Sequence, residues 1–392
     1  MADSGSGVTE GQHIPILAGS PRLQWLEQGT CFDHWNKCYS SCISVGPNPG
    51  PRRWLTTPCA RFVSVSELLG DADQRYFSAG YRAVRQDLRG IRLYTDDHGA
   101  IRVGASLALS YPQSWSQKAG QEDRRPHLST LDALLVASQL TEVILLEALS
   151  LPRELRQWVW IRRAVIRAGA KAVEELDDVE VRGQLISGDA ELSPLFRHTR
   201  LVKTRFSIGA LRVELDLIVP EARPCDTARA YSSIDDALGQ RAQRYYGDGF
   251  KADDISIGDG WLLDEKAIHV PIERRNESKY IDLGSSYVGA PTFVNCILGQ
   301  AQISQLMLYS LDHMDRSISD NLWMRHVEMI SSVPHGGTQD GFHASAHIDK
   351  TRLLPMAGRT WRITDFLGKF GPITARYNLA HALPEEKAQA TR

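Results

Sequence analysis

Ser64–Ala83 reads SVSELLGDADQRYFSAGYRA, and Ser233–Ala252 reads SIDDALGQRAQRYYGDGFKA. The two stretches share L-G-x-x-x-Q-R-Y-[FY]-x-x-G-[YF]-[RK]-A, with Gly70 and Gly239 spaced 239 − 70 = 169 residues apart. Further along, SQLTEVILL (Ser138–Leu146) matches AQISQLMLY (Ala301–Tyr309), with Gln139 and Gln302 spaced 302 − 139 = 163 apart. The same spacing sets Trp160-Ile161-Arg162 on Trp323-Met324-Arg325. Three anchors in one order mark a tandem duplication. Its period far exceeds the 20–50 residues of solenoid repeats, so the repeated unit is a domain.

Each copy has the same order of patterns. A short amphipathic helix around Val65–Leu69 leads to an aromatic turn ending at Gly80. Alternating runs, Ile91–Tyr94 and Ile101–Leu109, read as strands. A long apolar helix follows, roughly Leu131–Leu149. After Trp160 come the strand-like runs Val179–Ile186, Leu201–Ile208 and Leu211–Val219, echoed in copy two by Phe342–Ile348, Thr360–Phe366 and Ile373–Leu379. The helix is apolar nearly all round, so other structure must wrap it. The prediction is an α+β fold in which antiparallel strands curl around one buried helix per copy. Boundaries at 1–63, 64–229 and 230–392 are expected.

Bulk properties exclude several classes. A net charge of −2 gives no reason to expect nucleic acid or an anionic membrane as partner. The apolar run Leu131–Leu151 is broken by Asp132, Gln139, Glu142 and Glu147, which argues for a core helix rather than a membrane span. No signal-peptide pattern opens the chain, so a cytoplasmic location is expected. Residues 1–63, rich in Gly, Pro and Ser, read as a flexible extension. It holds Cys31, Cys38, Cys42 and Cys59 near His34, without the C-x-x-C pair of a zinc site. His335, His343 and His347 also lack compact metal spacing. G-x-G-x-x-G, Walker A, G-x-S-x-G and H-E-x-x-H are all missing, and Cys225 and Cys296 have no neighbouring His. Neither metal nor cofactor is expected.

The polar residues on the long helices recur. Asp132 and Gln139 lie seven apart and share a face, and Asn295 and Gln302 stand in the same places in copy two. Copy one opens its helix with His127-Leu128-Ser129-Thr130-Leu131-Asp132, whereas copy two reads Ala290-Pro291-Thr292-Phe293-Val294-Asn295. Only copy one offers both a carboxylate and an imidazole for acid–base work. One active site is therefore expected, with Asp132 and His127 catalytic. The simpler reading is a Ser129 or Thr130 helix cap with Asp132 in the first turn. Glu142, replaced by Gln305, fits a satisfied buried group. The loop Tyr111–Lys118 (YPQSWSQK) with Arg124 and Arg125 could cover a ligand. The substrate-binding set is thus Ser129, Thr130, Tyr111, Trp115, Lys118, Arg124, Arg125, Gln139, Asn295 and Gln302.

LGDADQRYFSAGYR, YPQSWSQK and RPHLSTLDALL resemble the avirulence D (AvrD) family, from about Ser64 to near the C-terminus. The architecture is also similar to the double hotdog fold. Leu131-Asp132-Ala133-Leu134-Leu135 resembles a segment of the polyketide dehydratases that carries a catalytic Asp, although it lies here in the first copy and the second lacks their catalytic-His motif. The AvrD resemblance implies synthesis of syringolide-like butenolides. A β-ketoacyl group would pass from a thioester of acyl-carrier protein or coenzyme A to a sugar such as xylulose, followed by ring closure. The acyl tail would lie between the copies. A dehydratase or thioesterase, or a non-catalytic acyl-binding module, are the alternatives. A homodimer is compatible with all of them.

Overall fold

The structure, a computed structural model, describes residues 60–112, 125–186, 199–221, 228–276, 279–287, 289–314, 322–332, 341–356 and 358–384. The first half contains β1 (Ala60–Val63), β2 (Arg85–Thr95), β3 (Ile101–Ser110), β4 (Trp160–Arg167), β5 (Val179–Ile186), β6 (Thr199–Ile208) and β7 (Leu211–Pro220). The second contains β8 (Arg229–Ser233), β9 (Asp254–Ile257), β10 (Gly260–Leu263), β11 (Ala267–Arg275), β12 (Trp323–Ile330), β13 (Phe342–Met356), β14 (Arg359–Phe370) and β15 (Ile373–Ala382). The first long helix is Thr130–Ala148 and the second is Phe293–Leu311. Short helices Val65–Leu69 and Ile234–Leu238 open the two copies.

All the strands join one sheet in the order β1-β10-β11-β13-β14-β15-β12-β4-β7-β6-β5-β3-β2-β8, with β9 also on β11. The order reads the same from either end once each strand is replaced by its counterpart. At the centre β4 and β12 run antiparallel, and Val165 pairs with Glu328, its own counterpart at a spacing of 163. A pseudo-twofold axis therefore passes between those residues. Two further bonds obey it: Ala168 N–H donates to Arg325 C=O at 3.0 Å, and Ser331 N–H to Arg162 C=O at 2.8 Å.

Each long helix packs on the strands of its own half. The first touches β2 through β7. Six strands about 4.8 Å apart span roughly 24 Å, twice a helix diameter, so a sheet that meets one helix everywhere must curve around it. All but three of the nineteen residues of the first long helix are buried, as an all-round apolar sequence requires. This is the double hotdog arrangement, α+β in class.

The leading segments exchange places. β1 pairs with β10 of the second half, and β8 with β2 of the first. The short helix Val65–Leu69 packs on the second long helix, and Ile234–Leu238 on the first. Gly70 and Gly239 end these helices at φ +72° and +87° with ψ near 180°, a region essentially reserved for glycine. After them, Arg75 Nη1 donates to Gln302 Oε1 at 3.1 Å, and Arg244 Nη1 to Gln139 Oε1 at 2.9 Å. Tyr81 stacks on its counterpart Phe250 at 6.0 Å. The Q-R-Y motif and the helix glutamines recur because they hold the halves together reciprocally, as in an isologous interface.

The predicted long helices and later strands match these elements within a few residues, except that β13 runs eight residues past the expected Ile348 to Met356. β4 and β12 went unread, because Arg162, Arg163, Arg325 and His326 interrupt their alternation. Cys31, Cys38, Cys42, Cys59, His34 and His335 lie outside the described residues. Among the described residues no helix is long and apolar enough to cross a membrane.

Arg244 is almost fully buried and also donates to Asp235 and to the Gly239 carbonyl. Arg244→Met should lower stability by about 2–4 kcal/mol by leaving the buried Gln139 carbonyl without its donor. The exposed Arg275→Met should stay within about 0.5 kcal/mol. Urea unfolding reads both, and equal midpoints for the two variants would refute this account of the joint.

Candidate active site

The first long helix starts with a capping box. Ser129 Oγ accepts the Asp132 N–H at 3.1 Å, and Asp132 Oδ2 accepts the Ser129 N–H at 3.2 Å. Such a cap contributes about 1 kcal/mol, and the helix dipole favours the carboxylate there. The simpler role read from the sequence is thus filled, and more surrounds it. Asp132 is fully buried. Its Oδ1 accepts from Gln86 Nε2 at 2.7 Å, and its Oδ2 from Ser129 Oγ at 2.6 Å and from the Tyr111 hydroxyl. Burial, reinforced by the Asp132 charge, pushes the Tyr111 and Tyr76 hydroxyls well above their ordinary value, so both remain protonated donors. The two rings stack at 6.4 Å. Every side-chain donor to Asp132 among the described residues is neutral, and none of them is a cation.

The second helix repeats the cap but relocates the charge. Thr292 and Asn295 form the same box. Asn295 Nδ2 donates to the buried Asp253 at 2.9 Å, and the Tyr245 hydroxyl donates to it at 2.8 Å. Arg274 grips Asp253 through two bonds of 2.8 and 3.0 Å. The carboxylate has moved from helix to strand edge, and a bidentate guanidinium cancels it.

His127 precedes the first cap. Its ring stacks on Trp323 of the second half, with centroids 4.9 Å apart and planes 14° from parallel. Thr130 Oγ1 lies 3.7 Å from Met324 Sδ, so the helix start abuts β12. Burial holds the His127 imidazole below its ordinary 6.5, and the Asp132 and Glu174 charges oppose this only in part. The ring is therefore neutral at pH 7, and a carboxylate nearby favours it once protonated. His127 is half-buried while Asp132 is sealed, so only the imidazole can meet a substrate.

The other predicted residues divide. The structure brings Tyr111, Ser129, Thr130, His127 and Asp132 together. Trp115, Lys118 and Arg124 lie outside the described residues, and Arg125 is exposed. Gln139 and Gln302 stand in the joint, their side-chain carbonyls engaged by Arg244 and Arg75. Asn295 serves the second cap and Asp253. Glu142 pairs with Arg156 at 2.7 Å in the core, and His343 stacks on His269 at 4.7 Å. Sequence reasoning missed Gln86 and Tyr76 beside Asp132, and Trp323 beside His127. Tyr76 and Trp323 were visible only as shared anchors, and nothing marked Gln86.

Where His127 fills the first joint, Ala290 stands in the second. A cleft of about 580 Å³, counting its open mouth, lies there between Trp160, Tyr245, Tyr246, Tyr287 and Phe293.

The model of the Pseudomonas avirulence D protein (AvrD) family matches residues 60–384. This chain belongs to the AvrD family. Comparison with curated proteins gives no match. Among solved structures, this AvrD-family chain is similar to a TesB protein of Mycobacterium avium subsp. paratuberculosis at 9% identity, covering 72% of this chain and 93% of that one, with a TM-score of 0.34. It is also similar to the PpsC dehydratase domain of Mycobacterium tuberculosis in complex with C12:1-CoA (12%, 74% and 97%, 0.31). A third is the acyl-CoA thioesterase II TesB2 of Mycobacterium marinum (10%, 64% and 89%, 0.30).

If the stack on Trp323 dries His127, Trp323→Ala should raise its pKa toward 6.5. NMR titration of the His127 ring, assigned by its loss in His127→Gln, measures this. An unchanged pKa would dissociate burial by Trp323 from the shift.

Proposed function

We propose that this chain is an enzyme acting on acyl thioesters, with His127 as its acid–base group and Asp132 as the buried counter-charge. The observation that carries this is the contrast between the two helix starts. Among the described residues, one keeps a carboxylate with only neutral side-chain donors beside a neutral, half-exposed imidazole; the other has an amide and a closed Asp253–Arg274 pair.

In the finer reading, the acyl group is a β-ketoacyl chain and the acceptor a ketose such as xylulose. His127 takes the proton of the attacking sugar hydroxyl as its oxygen bonds to the thioester carbonyl. The oxyanion that forms faces the positive end of the first long helix. Its collapse breaks the C–S bond, and the departing thiolate takes the proton back from the imidazolium. The products are a sugar ester and a thiol. The same imidazole then removes the acidic proton between the two carbonyls. The carbanion closes on the ketone carbon of the sugar, and loss of water gives a butenolide. Asp132 stabilises the imidazolium in each step and holds Tyr111 against the backbone carbonyl of His127, 3.0 Å from the hydroxyl. Membership of the AvrD family supports an acyl-thioester-processing role of this kind.

Thiol release from a β-ketodecanoyl thioester, with and without xylulose, tests the reading. Wild type should release thiol only with the sugar. His127→Gln should lower the rate by about 100-fold or more. Asp132→Asn should abolish turnover while the fold survives, because Gln86 can rotate its amide to accept from the new one, as Asn295 is accommodated in the second half. The rate should hold from pH 8 to below 6.5 and fall only at the depressed pKa, where protonation removes the base. Full activity in His127→Gln would refute the assignment, and sugar-independent release of free acid would make the chain a thioesterase.

A further inference from the structure

The cleft at the start of the second long helix is separate from the site just described. Its walls are aromatic: Trp160 from β4 and Tyr245, Tyr246, Tyr287 and Phe293 from the second half. Trp160 is the counterpart of Trp323. With Ala290 in place of an imidazole, it meets Tyr287 edge-on at 5.3 Å instead of stacking on a histidine. The cleft exists because that ring is missing.

Two polar groups in this lining have no bonding partner. The hydroxyls of Ser285 and Ser331 are buried, with residue exposures of 9% and 1%, and neither makes a hydrogen bond among the described residues. A buried hydroxyl without a partner is destabilising, so its persistence calls for an occupant that bonds to it. The charges beside the cleft offer nothing to an ion. Arg274, which also lines it, is held by Asp253 through two bonds and donates to the Ala290 carbonyl at 3.0 Å. Asn295 replaces the acid that the first helix carries at this position.

We infer that this cleft is a second ligand site that takes a neutral, largely apolar molecule bearing carbonyl or hydroxyl oxygens. The aromatic wall covers the apolar body, and the two serine hydroxyls bond the oxygens. A neutral acyl ester or lactone has this chemistry; a free fatty acid or a phosphate ester does not.

Calorimetric titration of the full chain with γ-decalactone, decanoate and decyl phosphate tests the inference. The lactone should bind with a Kd of about 10–100 μM, within ordinary small-ligand range, and both anions at least tenfold more weakly. Ser285→Ala/Ser331→Ala should weaken the lactone at least tenfold while the melting temperature stays level or rises, since removing unpaired hydroxyls relieves a penalty. Ala290→His, which restores the ring of the first half, should also remove binding. His127→Gln should bind the lactone as wild type does, which separates this result from the fate of the proposed catalytic site. Absence of lactone binding, equal affinity for decanoate, or undiminished binding in the double alanine variant would each overturn it.

Discussion

Two arginine–glutamine bonds, Arg75 to Gln302 and Arg244 to Gln139, set the terms for the rest of the molecule. A helix buried on every side must satisfy each polar group it carries from within the protein. Here the donors come from the opposite half, on the turn that follows the exchanged short helix. Neither helix is therefore complete without the other copy. The exchange of β1 and β8 follows the same logic. Each leading strand closes the partner's sheet edge while its turn delivers the arginine to the partner's helix. The two halves are interlocked at the edges through β1–β10 and β8–β2, and at the centre through β4–β12.

That rigid frame makes the differences between the helix starts interpretable. Both caps use a hydroxyl and a side-chain carbonyl in the same geometry. What varies is the placement of charge around them. In the first half the acid is on the helix and its neighbours are a glutamine, a serine and a tyrosine. In the second the acid lies just before β9 and an arginine pairs with it. The imidazole and the tryptophan follow the same division: stacked in one joint, while in the other the tryptophan meets Tyr287 and alanine replaces the imidazole.

Much of this was legible in the sequence. The repeat fixed the number of buried helices, and the contrast of Asp132 with Asn295 located the asymmetry. The exchange was not legible, because identical motifs in both copies cannot say which helix each will meet. Gln139 and Gln302 looked like ligand contacts for the same reason: a polar residue retained in a buried place has many explanations until its partner is seen. The Asp253–Arg274 pair was hidden because its members lie 21 residues apart, one just before β9 and the other in β11, without a shared pattern. The cleft beside it depends on a residue that is small, and a missing side chain leaves no mark in a motif.

The self-pairing of Val165 with Glu328 has one more meaning. A strand that meets its own counterpart across an axis is what two identical chains make when they associate. In such a dimer every substitution enters both sites together, so a change that suits one role damages the other. Joining the copies end to end lifts that bond. Ala290 could replace the ring that His127 keeps, and neither choice constrained the other. The covalent link does more than save an association step: it lets the two helix starts differ from each other.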